Sequence, residues 1–327
     1  MTMKAWQVER LGEPREVMNL VDAEIPVVAP DEVLVKARAV AINFPDVLLA
    51  RGEYQVKPEL PFTPGLELCG TVIEVGSEVA NVTVGSRVVG SKIGLLSEYS
   101  VLAGSAVFPA PEALSDVEAS ALFIGYQTGY FGLYRRAALQ PGETLLVHAA
   151  AGGVGTAAVQ LGKAMGARVV GVVGSAAKIE VATKAGADVV IDRSVDDFVT
   201  IVNDLTDGNG ADVIYDPVGG DVFERSTKCI AFEGRIVVVG FASGTIGAAK
   251  LNHALVKNYG ILGLHWGLYT TRAPELVAEV HAELTRLAQA GAIRPIIGEV
   301  FPFAKAAEAV QKVATGTTVG RSVVTIA

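Results

Sequence analysis

The sequence predicts an α/β protein with two domains, one built on a doubly wound, parallel, six-stranded sheet and the other β-rich. Three observations predict it. Short apolar runs alternate with helical stretches from about Glu143 to Gly263. The turn Ala150-Ala151-Gly152-Gly153-Val154-Gly155 separates the first of those runs from its helix. The first hundred residues are instead cut by Gly, Pro and Asp into short strand-like pieces.

Taken in order, Lys4 to Glu9, Glu32 to Ala41, Gly70 to Val75, Arg87 to Gly90 and Ser97 to Val101 read as strands, and the Gly/Val alternation through Val89 suits a small twisted barrel. Ser115 followed by acids in the next turn starts a helix, Ser115 to Leu122. Six apolar runs, 145–149, 168–173, 188–191, 212–216, 235–240 and 260–264, give the parallel sheet. Leu276, Val277, Val280, Leu284 and Leu287 recur at three- and four-residue spacing, so Pro274 to Ala290 is an amphipathic helix. A short helix, Ala304 to Val313, and a closing strand, Ser322 to Ile326, return the chain to the β-rich domain. The domains are therefore 1–118 with 267–327, and 119–266.

A chain of 327 residues, half of them hydrophobic, is long enough to bury two cores. The net charge of −8 argues against nucleic-acid or membrane-surface partners. Two cysteines, Cys69 and Cys229, provide no disulfide framework and suit a reducing cytoplasm. The uncharged stretch Thr144 to Gly162 is long enough to raise the question of a membrane span. Its strand, glycine turn and helix answer that question in favour of a nucleotide site.

At such a turn a Cβ would keep backbone N–H groups away from a pyrophosphate, and the following helix adds its positive end. Ala151, Gly152, Gly153 and Val154 are the candidate contacts, with Ala150 where the usual fingerprint has its first glycine. The end of the second strand points to the cofactor. An NAD site places an acid there for the ribose 2′-hydroxyl. Here the strand runs out into Val173-Gly174-Ser175-Ala176-Ala177-Lys178, with a hydroxyl and a cation and no acid. Ser175 and Lys178, beside Gly174, therefore suit the 2′-phosphate of NADPH, and Arg193 after the third run either adds a second cation or lies along the adenine. The plainer reading makes Lys178 a solvated helix residue.

The chain also resembles the zinc-free quinone oxidoreductase branch, which includes zeta-crystallin, of the medium-chain dehydrogenase/reductase superfamily. The resemblance spans essentially the whole chain. It is carried by Asn43-Phe44-Pro45-Asp46, Arg51-Gly52-Glu53-Tyr54, Pro64-Gly65-Leu66-Glu67, Ala149 to Gly155, Tyr215-Asp216-Pro217-Val218-Gly219-Gly220 and Gly320-Arg321-Ser322-Val323-Val324. It implies a Rossmann domain and a GroES-like catalytic domain, NADPH as cofactor, and a homodimer or homotetramer. It also implies that Asn43 and Tyr54 lie beside nicotinamide and substrate and that Thr128 faces the cofactor. Gly240 and Phe241 after the fifth run, and Leu264 and Trp266 after the sixth, sit where strand ends meet a ligand crevice and would cradle the nicotinamide.

A catalytic zinc needs three Cys, His or carboxylate ligands. The alcohol dehydrogenase branch has Gly-His-Glu where this chain has Gly65-Leu66-Glu67, and its first cysteine ligand falls near Asn43. The four histidines are scattered, so no metal is expected. Hydride transfer then requires an acceptor that is already electrophilic: a quinone, or an activated alkene such as an enone or enoyl thioester. Asn43 and Tyr54 are candidate hydrogen-bond donors to its oxygen. Two readings stand for Asp46, a place in the catalytic site or the ordering of the Asn43 to Tyr54 loop. The family often carries a tyrosine two residues after this acid, where this chain has Leu48. A low-turnover NADPH-binding protein of structural or regulatory role is the alternative of another class; the retained Asn43, Asp46 and Tyr54 favour turnover.

Overall fold

The computed structural model describes residues 1–327. Fifteen strands follow one another along the chain. The first seven are β1 (Thr2–Val8), β2 (Met18–Glu24), β3 (Glu32–Ala41), β4 (Glu67–Val75), β5 (Arg87–Ser91), β6 (Tyr99–Ala103) and β7 (Val107–Pro109). Then come β8 (Thr144–His148), β9 (Arg168–Val173), β10 (Val189–Asp192), β11 (Ala211–Asp216), β12 (Ile230–Val238) and β13 (Gly260–Gly263), and finally β14 (Ile297–Pro302) and β15 (Arg321–Thr325). The chain forms two compact units, Met1–Ile124 with Pro274–Ala327, and Gly125–Ala273. The divisions fall at Gly125 and Pro274 rather than at 119 and 267.

In the first unit β1 and β2 form an antiparallel pair, and a seven-stranded sheet runs β14-β15-β3-β4-β5-β7, with β6 paired to the first half of β3 and β15 to its end. Its core is aliphatic: Val35, Val40, Leu68, Leu96, Leu102 and Val324 are buried together with Trp6 and Phe62. Three of these strands, β2, β7 and β14, escape the sequence pattern. The sequence of β2, MNLVDAE, buries little beyond Met18, and β14 contains a glycine and ends in proline. β4 begins at Glu67, three residues before the predicted Gly70, because this carboxylate is buried and paired. Ser115 caps the helix Asp116–Ser120 in a capping box: its N–H donates to Glu118 Oε2 at 2.9 Å and its Oγ accepts the Glu118 N–H at 3.3 Å. The helix Pro274–Gln289 buries Val277, Val280, Leu284 and Leu287, and Ala306–Ala314 is the last helix.

In the second unit all six strands are parallel, in the order β10-β9-β8-β11-β12-β13. The order reverses between β8 and β11, which makes a topological switch point at their carboxyl ends. Leu146, Val170, Val172, Phe198, Ile214, Phe223 and Ile236 fill the core on one face. Thr128 lies inside the helix Phe123–Tyr130, which follows the helix Asp116–Ser120, and the chain continues as a wider π-type turn, Phe131–Arg136.

Candidate active site

The glycine turn closes tightly at the end of β8. Ala149 adopts φ 50°, its carbonyl accepts the Gly152 N–H at 2.8 Å, and the helix Gly153–Met165 starts with no side chain capping it. Its first N–H groups therefore stay available to an anion. A Cβ at Gly155 would run into the Ala149 carbonyl oxygen, so this position accepts only glycine. Alanine is tolerated at 150 because Gly171 of β9 faces it; a Cβ on Gly171 would stand 2.9 Å from that of Ala150.

Two cations converge at the ends of β9 and β10. Arg193 lies across Gly174, where a Cβ would be 3.8 Å from its Nε and 3.9 Å from its Nη2. Burial, and then the positive charge of Arg193, hold the Lys178 ammonium below its ordinary pKa. Ser175 is half-buried at the start of the turn that carries Lys178, whose N–H donates to the Ser175 carbonyl at 3.0 Å. Two like charges brought together beside an acid-free strand end are a suitable setting for a phosphate.

The remaining strand ends complete this side. Asp216 of β11 accepts the N–H groups of Val218 and Gly219 on one oxygen at 2.8 and 3.0 Å; its other oxygen has no partner, and burial raises its pKa. After β12, Gly240 and Phe241 enter a loop tied back by Ala242 N–H to the Pro217 carbonyl at 3.0 Å, and the Phe241 ring is 40% exposed. After β13, Leu264 and Trp266 are buried and His265 is exposed. Thr128 is buried too. The expected cofactor residues other than Thr128 and Tyr54 thus sit at, or just beyond, the carboxyl ends of five of the six strands, β8, β9, β10, β12 and β13. His148 is spent internally: its Nε2 lies 2.8 Å from Ser226 Oγ, and burial, then Arg193 and Arg225, push its pKa down to about 3.

The first unit holds a buried polar network around Asn43. Asp46 accepts the Asn43 N–H at 2.7 Å and the Gly65 N–H at 3.0 Å, one on each oxygen, so it orders the loop and the start of the helix Phe44–Arg51. Burial pushes its pKa up to about 7, against those two donors and Arg321. Asn43 Nδ2 donates to the Ala41 carbonyl at 3.2 Å and to Glu67 Oε1 at 2.9 Å, and its Oδ1 accepts from Arg321 Nη1 at 2.9 Å. The amide has no hydrogen left for a substrate oxygen in this arrangement. Arg321 Nη2 also donates to Glu67 Oε1, and Glu67 Oε2 accepts the Ile124 N–H at 2.8 Å.

Tyr54 hangs from the other end of the same helix, its N–H donating to the Leu48 carbonyl at 3.3 Å. Its ring packs on the core of this unit, and burial, then Asp46, raise the phenol pKa. Within the unit the structure therefore groups Asn43, Asp46 and Tyr54, and of the three only the Tyr54 side chain has no hydrogen bond inside the chain. In the sequence Glu67 and Arg321 stand only as letters of their motifs. The available signal was a charged residue opening each of two otherwise apolar strands, Glu67-Leu68-Cys69 and Arg321-Ser322-Val323. No three His, Cys, Asp or Glu side chains are grouped so as to hold a metal ion.

Comparison with known proteins agrees with this architecture. Residues 29–141 match the alcohol dehydrogenase GroES-like domain and residues 153–282 the zinc-binding dehydrogenase family. A quinone oxidoreductase-like protein 2 homolog of Nematostella vectensis is 39% identical over 325 residues, covering 98% of this chain and 88% of that protein. Escherichia coli quinone oxidoreductase, solved in complex with NADPH, superposes with a TM-score of 0.91 at 32% identity, over 99% of this chain and 100% of that one. The CurK enoyl reductase gives 0.90 at 26% identity over 99% of each. Fold, motif order and relatives together place the chain in the zinc-free quinone oxidoreductase branch of the medium-chain dehydrogenase/reductase superfamily.

Proposed function

We propose that this oxidoreductase uses NADPH to reduce quinones by two electrons without a metal. The observation that carries the cofactor is the pair Lys178 and Arg193 beside Gly174 and Ser175. The residues fit the group: these cations and the Ser175 hydroxyl bind the 2′-phosphate, and the N–H groups of Gly153 and Val154 at the uncapped helix start, on the turn that Gly152 closes, receive the pyrophosphate. Ala151, Gly240, Phe241, Leu264, Trp266 and Thr128 position the rest of the cofactor. When bound, NADPH supplies hydride.

Tyr54 then acts on the acceptor side. Its phenol donates a hydrogen bond to the oxygen that gains charge and passes on a proton, which solvent restores. Quinone, hydride and one proton balance to the hydroquinone, that proton being drawn in the end from solvent for each NADPH consumed. Asn43 and Asp46 support the segment that carries Tyr54. The metal-free reading is supported by the donor set: Leu66 is apolar, Glu67 is committed to Arg321, and Asn43 offers no thiolate.

A second reading, reduction of enones or enoyl thioesters, is favoured by Leu48 in place of a tyrosine and by the likeness to an enoyl reductase. A homodimer or homotetramer is supported by β13, an edge strand, beside the helix Leu251–Lys257 with Leu251, Leu255 and Val256 exposed. No helix is long and apolar enough to cross a membrane, and the two unpaired cysteines suit the cytoplasm, where we place the enzyme.

The test is oxidation of NADPH, with NADH as control, by the pure protein against a benzoquinone, a naphthoquinone, a short enone and crotonyl-CoA. Fast turnover of quinones with NADPH is expected. Turnover confined to the enone or thioester selects the second reading, and equal use of NADH removes the cofactor assignment. Light scattering after size exclusion tests the oligomer; a monomer at micromolar concentration rejects it.

A further inference from the structure

We propose that Arg321 is a positioning residue of the acceptor site: through Asn43 and Glu67, the last strand of the chain fixes the segment that presents Tyr54. The inference rests on the role given to Tyr54 above.

The geometry runs in one line. Arg321 opens β15, beside β3, and its guanidinium is buried. It grips Asn43 Oδ1 and Glu67 Oε1 with two different nitrogens. Asn43 is the residue before the helix Phe44–Arg51, and its backbone N–H is held by Asp46 one turn on. At the far end of that helix the Leu48 carbonyl accepts the N–H groups of Gly52, Glu53 and Tyr54. The helix has eight residues, so anything that rotates its start displaces the Tyr54 phenol. Glu67 extends the same hold to the Ile124 N–H.

Stability alone is a weak reason for this arrangement. A buried ion pair commonly does no better than well-packed apolar residues of similar volume, and Arg321 Nε is buried without a partner. What an arginine adds is a planar fork that fixes two oxygens at once.

The deciding variant replaces Glu67→Leu and Arg321→Met together, so that neither member of the buried ion pair is left without the other. The proposal expects a folded protein whose NADPH affinity, read by fluorescence titration, matches wild type. Its kcat/KM for the acceptor falls at least about tenfold, as misplacement by a fraction of an ångström implies. Backbone hydrogen exchange across residues 43–54 quickens while that of 144–173 does not change. A folded double variant with wild-type exchange across 43–54 overturns the proposal, and so does wild-type kcat/KM where Tyr54→Phe is itself impaired. If the double variant does not fold, Arg321→Lys decides, since it keeps the charge and loses the fork. The same quickened exchange is expected, and exchange within twofold of wild type overturns the proposal. Exchange does not depend on turnover. A wild-type protein inactive on every acceptor therefore defeats the functional reading while leaving this test intact.

Discussion

Arg193 lies over Gly174, with 3.8 Å between its Nε and the place a Cβ would take. The guanidinium thus occupies the space into which an acid at this strand end would project. Gly174→Asp is expected to pair with Arg193 and repel a 2′-phosphate, turning preference toward NADH. Lys178→Ala and Arg193→Ala are each expected to raise the KM for NADPH about tenfold and leave that for NADH nearly constant, a discounted value for charge-assisted bonds at a partly exposed site. An unchanged ratio of kcat/KM for NADPH over NADH in all three variants would remove the account of the phosphate.

Tyr54 is the one member of the acceptor-side trio with an uncommitted side chain. Tyr54→Phe keeps the packing and removes the hydroxyl. It is expected to lower kcat by about ten- to a hundredfold, at the low end of what a positioned acid contributes, with cofactor affinity nearly constant. Steady-state kinetics at saturating NADPH measure this; a kcat within twofold of wild type would take the proton role from Tyr54.

Two buried titratable groups, His148 and Asp46, respond to acid in opposite directions. The folded pKa of His148 is depressed from 6.5 to about 3, so below about pH 6.5 the unfolded chain binds the proton more readily and stability falls with pH. The slope approaches about 1.4 kcal/mol per pH unit. Asp46 has the reverse sign: its folded pKa, about 7 against 3.8, makes a contribution that is present below about pH 4 and lost as pH rises through 7. Urea unfolding at pH 7 and pH 5 should show His148→Gln losing less stability in acid than wild type, and Asp46→Asn losing more. Identical pH dependence in all three proteins would show that neither group titrates as its burial implies.

The parallel sheet was legible because each of its strands is a short apolar run ending at a glycine or a polar turn, and the strand ends named the nucleotide residues with it. The acceptor side was legible only in part. Asn43, Asp46 and Tyr54 lie within twelve positions of one another, so a local motif could expose them. What binds the Asn43 amide comes from Glu67 and Arg321, 24 and 278 residues away, and no periodicity reports such a pairing. The same limit hid β2 and β14, whose sequences bury too little to alternate clearly.

The departure at the glycine turn has its compensation on the neighbouring strand. Ala150 is buried, and the Cβ it adds is received by the missing side chain of Gly171. Gly171→Ala should set two methyl groups 2.9 Å apart and cost about 1–3 kcal/mol, the usual range for overpacking. Ala150→Gly removes the clash at the cost of a freer turn, roughly 0.5–1 kcal/mol. The double variant should therefore be more stable than the sum of the single changes predicts, with a coupling of about 1 kcal/mol or more between residues in contact. Urea denaturation of the four proteins measures it, and NADPH titration of the double variant should show binding retained. Additive stabilities would mean that the turn relaxes away from β9, and the fit between Ala150 and Gly171 would then not explain why an alanine is tolerated there.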